Sequence, residues 1–188
     1  MDSISRTWGT NAEERELGFP CDHVIAGADE TLFRGITINA SAEVVFRWLC
    51  QMRVAPYSYD WLDNGGRRSP RELTSGLEDL ERGQTVMRIF DLIDFAPNQH
   101  LTIRLKPRAP SIKLFGDIVV SYLLVPRSSQ SCRLLVKLVV KHPSGLMGQI
   151  GRFFLPWGDL IMMRRQLLNF KTLAESAATP LGKRVARG

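Results

Sequence analysis

Apolar residues recur with helical spacing in the segment that follows Ser41. Their positions, i, i+3, i+4 and i+7, are typical of one buried helical face. They are Val45, Trp48, Leu49 and Met52. Ser41 can cap this helix and Pro56 would stop it. A second, shorter helix is predicted at Ser69, where a Pro and then a Glu complete a capping-box pattern.

The middle of the chain has the alternation of apolar and polar residues that strands with one buried face show. We predict strands at 32–38, 85–90, 101–106, 117–125 and 132–141. The segment 117–125 is apolar on both faces, as a central strand would be. The connections at 97–98, 107–110 and 126–130 are short and contain Pro, which leaves no room for crossover helices. The sheet is therefore predicted to be antiparallel.

The last predicted element is a helix from about 148 to 176, which Pro156 would kink or restart. At roughly 100° per residue, its larger apolar side chains fall on one face: Phe153, Trp157, Leu160, Ile161, Leu167 and Leu168. Arg164 falls on the same face, and a buried cation needs an acid, a carbonyl, water or a ligand as its partner. A sheet with one apolar face needs another element packed on that face, and this helix is predicted to pack there.

Length and composition indicate one globular domain, because the chain has 188 residues and is 44% apolar. We predict a mobile or loosely docked arm at 1–19, a single domain at 20–176 and a basic flexible tail at 177–188. Residues 141–188 hold 8 Lys and Arg against 2 Asp and Glu, which accounts for the net charge of +6. This pattern favours a solvated helix face and tail, with at most weak contact with a membrane surface. Nucleic acid is not an expected partner, because no aromatic residues interleave with the basic residues of the tail.

Metal and cofactor sites are not predicted. The three Cys and three His lie far apart, and no CxxC pair occurs, so neither a disulfide framework nor a metal site is expected. Gly145, Gly148 and Gly151 lack the GxGxxG spacing of dinucleotide sites, and close helix packing or a hinge suits them better. The sequence shows no secretory signal and no membrane span, so a cytoplasmic protein is expected.

Three segments resemble the START and Bet-v-like helix-grip superfamily, which includes SRPBCC and polyketide cyclase-like proteins. They are 45–51 (VFRWLCQ), 57–61 (YSYDW) and 155–168, which begins LPWGD and ends MMRRQLL. The combination is similar to a bacterial branch from which no catalytic residue can be carried over. The resemblance implies an α+β helix-grip fold. In that fold a curved antiparallel sheet wraps around a long C-terminal helix, two short helices lie near the N-terminal part, and a cavity can remain between sheet and helix.

Two Tyr, one Trp and one Asp lie close together just after the first helix, at 57–61. Such side chains suit the wall of a pocket. They equally suit a core plug, in which Trp61 and one Tyr fill the core and Asp60 caps a turn or helix. Arg164 has two interpretations as well: an internal ion pair, for example with Asp60, or an anchor for a ligand carboxylate or enolate. The predicted ligand-binding residues are Tyr57, Tyr59, Asp60, Trp61, Trp157 and Arg164.

Three functions remain open from the sequence. The favoured one is binding of a hydrophobic small molecule, such as a lipid, an isoprenoid or an aromatic metabolite, in the cavity. The alternative is a cyclase or dehydratase acting on a polyketide-like or other apolar substrate, with Asp60 or a Tyr as acid or base and Arg164 stabilising an enolate. The third is membrane-surface or partner binding through the basic C-terminus. The sequence predicts no oligomeric state.

Overall fold

The described residues form a six-stranded sheet and several helices. The computed structural model describes residues 3–63, 65–109 and 111–178. The helices are α1 (Ile4–Thr7), α2 (Ala12–Arg15), α3 (Ala42–Cys50), α4 (Asp60–Asp63), α5 (Ile112–Phe115) and α6 (Leu146–Ala178). The strands are β1 (Glu30–Ile38), β2 (Thr85–Val86), β3 (Phe90–Ala96), β4 (His100–Leu105), β5 (Asp117–Ser128) and β6 (Ser131–Lys141). A 3-10 turn extends α3 by Gln51–Arg53.

All strand pairs are antiparallel, in the order β1-β6-β5-β4-β3-β2. Short connections join β3 to β4 and β5 to β6, in agreement with the turns predicted at 97–98 and 126–130. The strand predicted at 85–90 is wrong in extent, because only Thr85–Val86 is a strand there and β3 begins at Phe90. The inner face of the curved sheet carries the main core, for example Val120 of β5 opposite Leu138 of β6. A smaller cluster covers part of the outer face, where Phe19 and Cys21 pack against Val119. The predicted α+β helix-grip architecture is confirmed.

Helix α6 runs across the inner face without a break at Pro156. Its buried face differs from the predicted one, because Phe153, Trp157 and Ile161 are each at least half exposed. Gly148 and Gly151 face the domain at this end. A Cβ on Gly148 would lie 1.8 Å from the Pro143 carbonyl oxygen, and one on Gly151 would lie 2.8 Å from that of Leu114. Close approach of the backbones therefore turns the glycines inward and the aromatic side chains outward.

The first of the short helices is confirmed, with Ser41 accepting a hydrogen bond from the backbone N–H of Val44. The helix predicted at Ser69 does not form, and α4 lies at Asp60–Asp63 instead. The Ser69 hydroxyl and backbone N–H both donate to the Asp60 carboxylate, at 2.5 and 2.9 Å. Asp60 thus takes the Ser69 backbone N–H, which the Glu72 side chain would have accepted in a capping box.

The segment expected to be a mobile or loosely docked arm contains α1 and α2, and α1 contacts β1. Ser5 and Glu14 are buried. Arg133 donates to both carboxylate oxygens of Glu14, each at 2.8 Å. Polar contacts of this kind explain how a polar segment can pack on a sheet. The predicted basic tail lies outside the described residues from position 179 onward.

Candidate functional site

A cavity of about 1000 Å³ lies between α6 and the inner face of the sheet. The sheet contributes Leu105 of β4, three residues of β5 and Leu138 of β6, and the turn Met87–Phe90 forms another wall. The β5 residues are Ile118, Val120 and Tyr122. Ligand pockets commonly measure about 300–1000 Å³, so this cavity can hold a lipid-sized molecule.

Apolar side chains form most of the cavity wall. Aromatic and aliphatic residues of α6 supply the helix side: Phe154, Leu155, Trp157, Ile161, Met162 and Met163. The polar residues of the lining are few: Ser58, Arg88, Ser111, Tyr122, Asp159 and Gln166. This composition is typical of sites that bury an apolar body and orient it through a small number of polar contacts.

A buried ion pair joins β1 to α6 beside the cavity. The Arg34 side chain is 0% exposed, and its Nε and Nη2 lie 3.0 and 2.8 Å from Oδ2 of Asp159. Nη1 donates to the backbone carbonyl of Phe33, and Nη2 donates to those of Ser5 and Pro156. Arg34 is thus held by three parts of the chain, which offsets part of the cost of its burial.

Asp159 presents its second oxygen, Oδ1, without a hydrogen bond from any residue that the structure describes. Its side chain is 10% exposed and lines the cavity. Burial raises the pKa of Asp159 to about 6, although the charge and hydrogen bonds of Arg34 oppose this rise. Burial likewise lowers the pKa of Arg34, against the charge of Asp159. The carboxyl group can therefore accept a hydrogen bond from a ligand, and it can exchange a proton near neutral pH.

A second polar group, on β5, is fixed by a chain of hydrogen bonds. The Tyr122 hydroxyl donates to Oε1 of Gln166 at 2.8 Å, and Nε2 of Gln166 donates to the Pro56 carbonyl at 2.6 Å. Burial raises the pKa of Tyr122, and the negative charge of Asp159 adds to this effect. Tyr122 therefore stays a neutral hydroxyl whose oxygen can also accept a hydrogen bond.

Two of the predicted site residues have surroundings other than those expected. Arg164 is exposed on the outer side of α6, with its guanidinium 5.7 Å from the centre of the Trp8 ring. Asp60 is bound to Ser69, so the suggested pair of Asp60 with Arg164 does not form. Trp157 lines the cavity near its exposed edge. The other five predicted residues are not among the described cavity-lining residues.

The aromatic cluster is divided between the core and the surface. Tyr57 is buried against Trp48 and Phe170, with ring centres 6.1 and 5.4 Å away. Tyr59 is partly buried, and Trp61 is 74% exposed. The interpretation as a core plug therefore suits Tyr57, and it does not describe Trp61.

None of the polar lining residues was predicted from the sequence, and neither was the buried polar network beside the cavity, which consists of Arg34, Tyr122, Asp159 and Gln166. A signal for one of them existed. Arg34 alternates with Leu32 and Ile38 on the inner face of β1, where an apolar residue would be expected. A charged residue at such a position requires a buried partner. Asp159 could be recognised as that partner only once the buried face of α6 was known.

In the part of the chain that the structure describes, no group of three or more His, Cys, Asp or Glu residues could hold a metal ion. No described helix is both long and apolar enough to cross a membrane.

Comparison with known proteins finds similarity in structure alone. No family model and no curated protein sequence matches the chain. The di-domain aromatase/cyclase BexL of the BE-7585A biosynthetic pathway superposes with a TM-score of 0.53 at 12% identity, over 81% of this chain and 48% of that one. The di-domain aromatase/cyclase StfQ of the steffimycin pathway gives 0.48 at 12% identity, over 79% and 51%. A START superfamily protein from Mycobacterium smegmatis gives 0.44 at 14% identity, over 80% and 97%. The chain thus spans about half the length of the two di-domain proteins.

Proposed function

We propose that this chain, which has the START-like helix-grip fold, binds a hydrophobic small molecule in the cavity between its sheet and α6. The observation that carries the proposal is the apolar cavity of about 1000 Å³. A ligand that fills the cavity would bury its own apolar surface and that of the cavity wall, which favours binding.

The buried polar groups of the cavity favour an apolar ligand with one hydrogen-bond-donating end, whereas Arg88, which also lines the cavity, is exposed. Oδ1 of Asp159 is an acceptor, and the Tyr122 hydroxyl already donates to Gln166. Because the pKa of Asp159 is about 6, the carboxyl group is mostly ionised at neutral pH. A hydroxyl or amine can donate to it, whereas a carboxylate would meet a like charge. A lipid alcohol, an isoprenoid alcohol or a phenol fits this description.

A displacement assay with matched ligands tests the proposal. A fluorescent apolar probe is bound first, and then displaced by straight-chain compounds of equal length that end in a methyl, hydroxyl, amine or carboxylate group. We expect the hydroxyl and amine compounds to displace it best and the carboxylate worst. Native mass spectrometry of the purified protein would detect a ligand that co-purifies.

A plug in the cavity provides the matched control. Gly158 lines the cavity, and a Cβ there would meet no described atom within 4 Å. Gly158 is exposed, so Gly158→Phe should place its ring at the cavity mouth, occupy space that the probe needs and weaken probe binding by about tenfold or more. Gly158→Ala should bind as the parent does. Both variants should fold, because replacing a helical glycine gains up to about 1 kcal/mol. Equal affinity in the two variants, or no probe binding in the parent, would refute the proposal.

The raised pKa of Asp159 favours an enzyme as a second candidate. An acid whose pKa lies near neutrality can deliver and accept protons during turnover. BexL, which shares the fold, is named as an aromatase/cyclase. Incubation with apolar polyketone substrates, followed by mass spectrometry, would reveal a converted product. Asp159→Asn should then abolish conversion while probe binding is retained. Recovery of every substrate unchanged favours binding alone.

A further inference from the structure

The first half of α6 exposes a continuous row of large apolar side chains. The row, which we name the α6 stripe, consists of Leu146, Met147, Ile150, Phe153, Phe154, Trp157 and Ile161. Their exposed fractions range from 37% for Ile150 to 71% for Leu146. At 100° per residue they share a sector of about 120° on the helix. Single exposed apolar residues are common, but seven neighbouring ones indicate a surface with a partner.

The stripe lies on the opposite side of α6 from the face that packs in the domain. Gly148, Gly151 and Leu155 face inward at this end of the helix, and Met163 and Phe170 continue that face. The glycines hold the helix against Pro143 and Leu114, as described above. Rotation of α6 to bury the stripe would therefore break a close backbone contact.

Several exposed basic residues lie around the stripe, and the exposed acid Asp29 is paired with one of them. Arg164 and Arg165 continue the same face of α6 and are exposed, and Lys113 is exposed on the neighbouring α5. Arg152 is about half exposed and paired with Asp29. The described acidic residues of α6 are Asp159, which is paired with Arg34, and Glu175, which lies near the far end. Helices with Trp, Phe and Leu on one face and basic residues beside them bind at anionic membrane surfaces.

The stripe is also continuous with the cavity. Phe154, Trp157 and Ile161 line the cavity and are at the same time at least half exposed. Their side chains thus form an edge of the cavity mouth. A surface in contact with the stripe would be in contact with this mouth.

We infer that the α6 stripe docks onto the surface of an anionic lipid bilayer and places the cavity mouth against the acyl chains. The docking step depends on the exposure of the stripe and the charge around it. Passage of a ligand from bilayer to cavity also depends on the function proposed above. Docking by α6 is separate from the basic tail, which the sequence had suggested for membrane contact.

Vesicle sedimentation tests the docking step. The full chain is mixed with vesicles of phosphatidylcholine alone or of phosphatidylcholine with phosphatidylserine. The double variant Leu146→Ser/Phe153→Ser removes two stripe residues that are not among the cavity-lining ones. The matched control is Ile4→Ser/Val54→Ser, which changes two exposed apolar residues on other elements. Circular dichroism confirms that both variants are folded.

We expect the parent and the control to sediment with the phosphatidylserine vesicles, and less so when salt is raised. The stripe variant should partition at least about tenfold more weakly, because two large apolar side chains are lost from the interface. Equal sedimentation of stripe variant and control would overturn the inference, as would parent binding that is independent of phosphatidylserine. If the parent does not bind vesicles but forms a dimer, and the stripe variant does not form one, the stripe is an interface between two copies of the chain. This result would also overturn the inference.

Probe displacement without vesicles separates the two proposals. The stripe variant should keep the parent's affinity for the probe, since its cavity is unchanged. Loss of vesicle binding with retained probe affinity supports docking by the stripe. Vesicle binding in a protein that binds no probe would leave the docking supported and refute the ligand-binding function.

Discussion

Replacement of Arg34 by Met should destabilise the protein strongly. The variant would leave the Asp159 carboxylate buried without its cation, and the carbonyls of Ser5 and Pro156 without their donor. Removal of one partner of a buried ion pair typically costs about 3–5 kcal/mol. We expect a loss in the free energy of unfolding of that size at neutral pH.

The loss in the free energy of unfolding caused by Arg34→Met should grow with pH, because the pKa of Asp159 is raised in the folded protein. Burial raises its pKa from 3.8 to about 6 in the folded protein. The folded state therefore binds the proton more tightly than the unfolded state, and stability falls as pH rises through this window. At about 1.4 kcal/mol per pKa unit, the fall in the parent is about 3 kcal/mol, complete slightly above pH 6. Without Arg34, the pKa of Asp159 in the folded protein rises further. The variant therefore continues to lose stability above about pH 6, where Asp159 no longer changes the stability of the parent.

Urea unfolding followed by circular dichroism at about pH 5 and about pH 8 measures this difference, because other titrating groups largely cancel between variant and parent. Arg104→Met is the matched control, since Arg104 pairs with Asp117 in a partly exposed position. Such pairs contribute about 1 kcal/mol or less. A loss for Arg34→Met that equals the control, or that is the same at both pH values, would refute the reasoning.

Three further outcomes are expected. Tyr57→Phe should be neutral or slightly stabilising in urea unfolding, because the buried Tyr57 hydroxyl has no hydrogen-bond partner among the described residues. Tyr122→Phe should cost about 1–3 kcal/mol, because Gln166 loses its buried donor; a loss no greater than that of Tyr57→Phe would contradict this. The thiols of Cys50 and Cys132 should resist iodoacetamide at about pH 8 until urea is added, because burial raises their pKa to about 12 and about 11. Rapid labelling of the folded protein would show this to be wrong.

Local periodicity predicted α3, α6 and most of the strands, but it missed β3 and the short helices α1, α2, α4 and α5. Alternation along β6 marked one buried strand face, and the spacing from Val45 to Met52 marked α3, because each pattern depends only on neighbouring residues. Short connections then required antiparallel pairing. The capping box at Ser69 was misleading, since the Ser69 backbone N–H and hydroxyl donate to Asp60, nine positions earlier in the chain.

Tertiary structure decided which face of α6 is buried and which residues line the cavity. The helix has an aromatic side and a glycine side, and hydrophobicity alone selects the aromatic one. The glycine side is buried because it permits contact with the backbones of Pro143 and Leu114. Arg34 and Asp159 are 125 positions apart, so their pairing follows from that rotation and from the packing of α6 on β1. Local patterns specify the elements, whereas partners across the core are determined only when the elements pack.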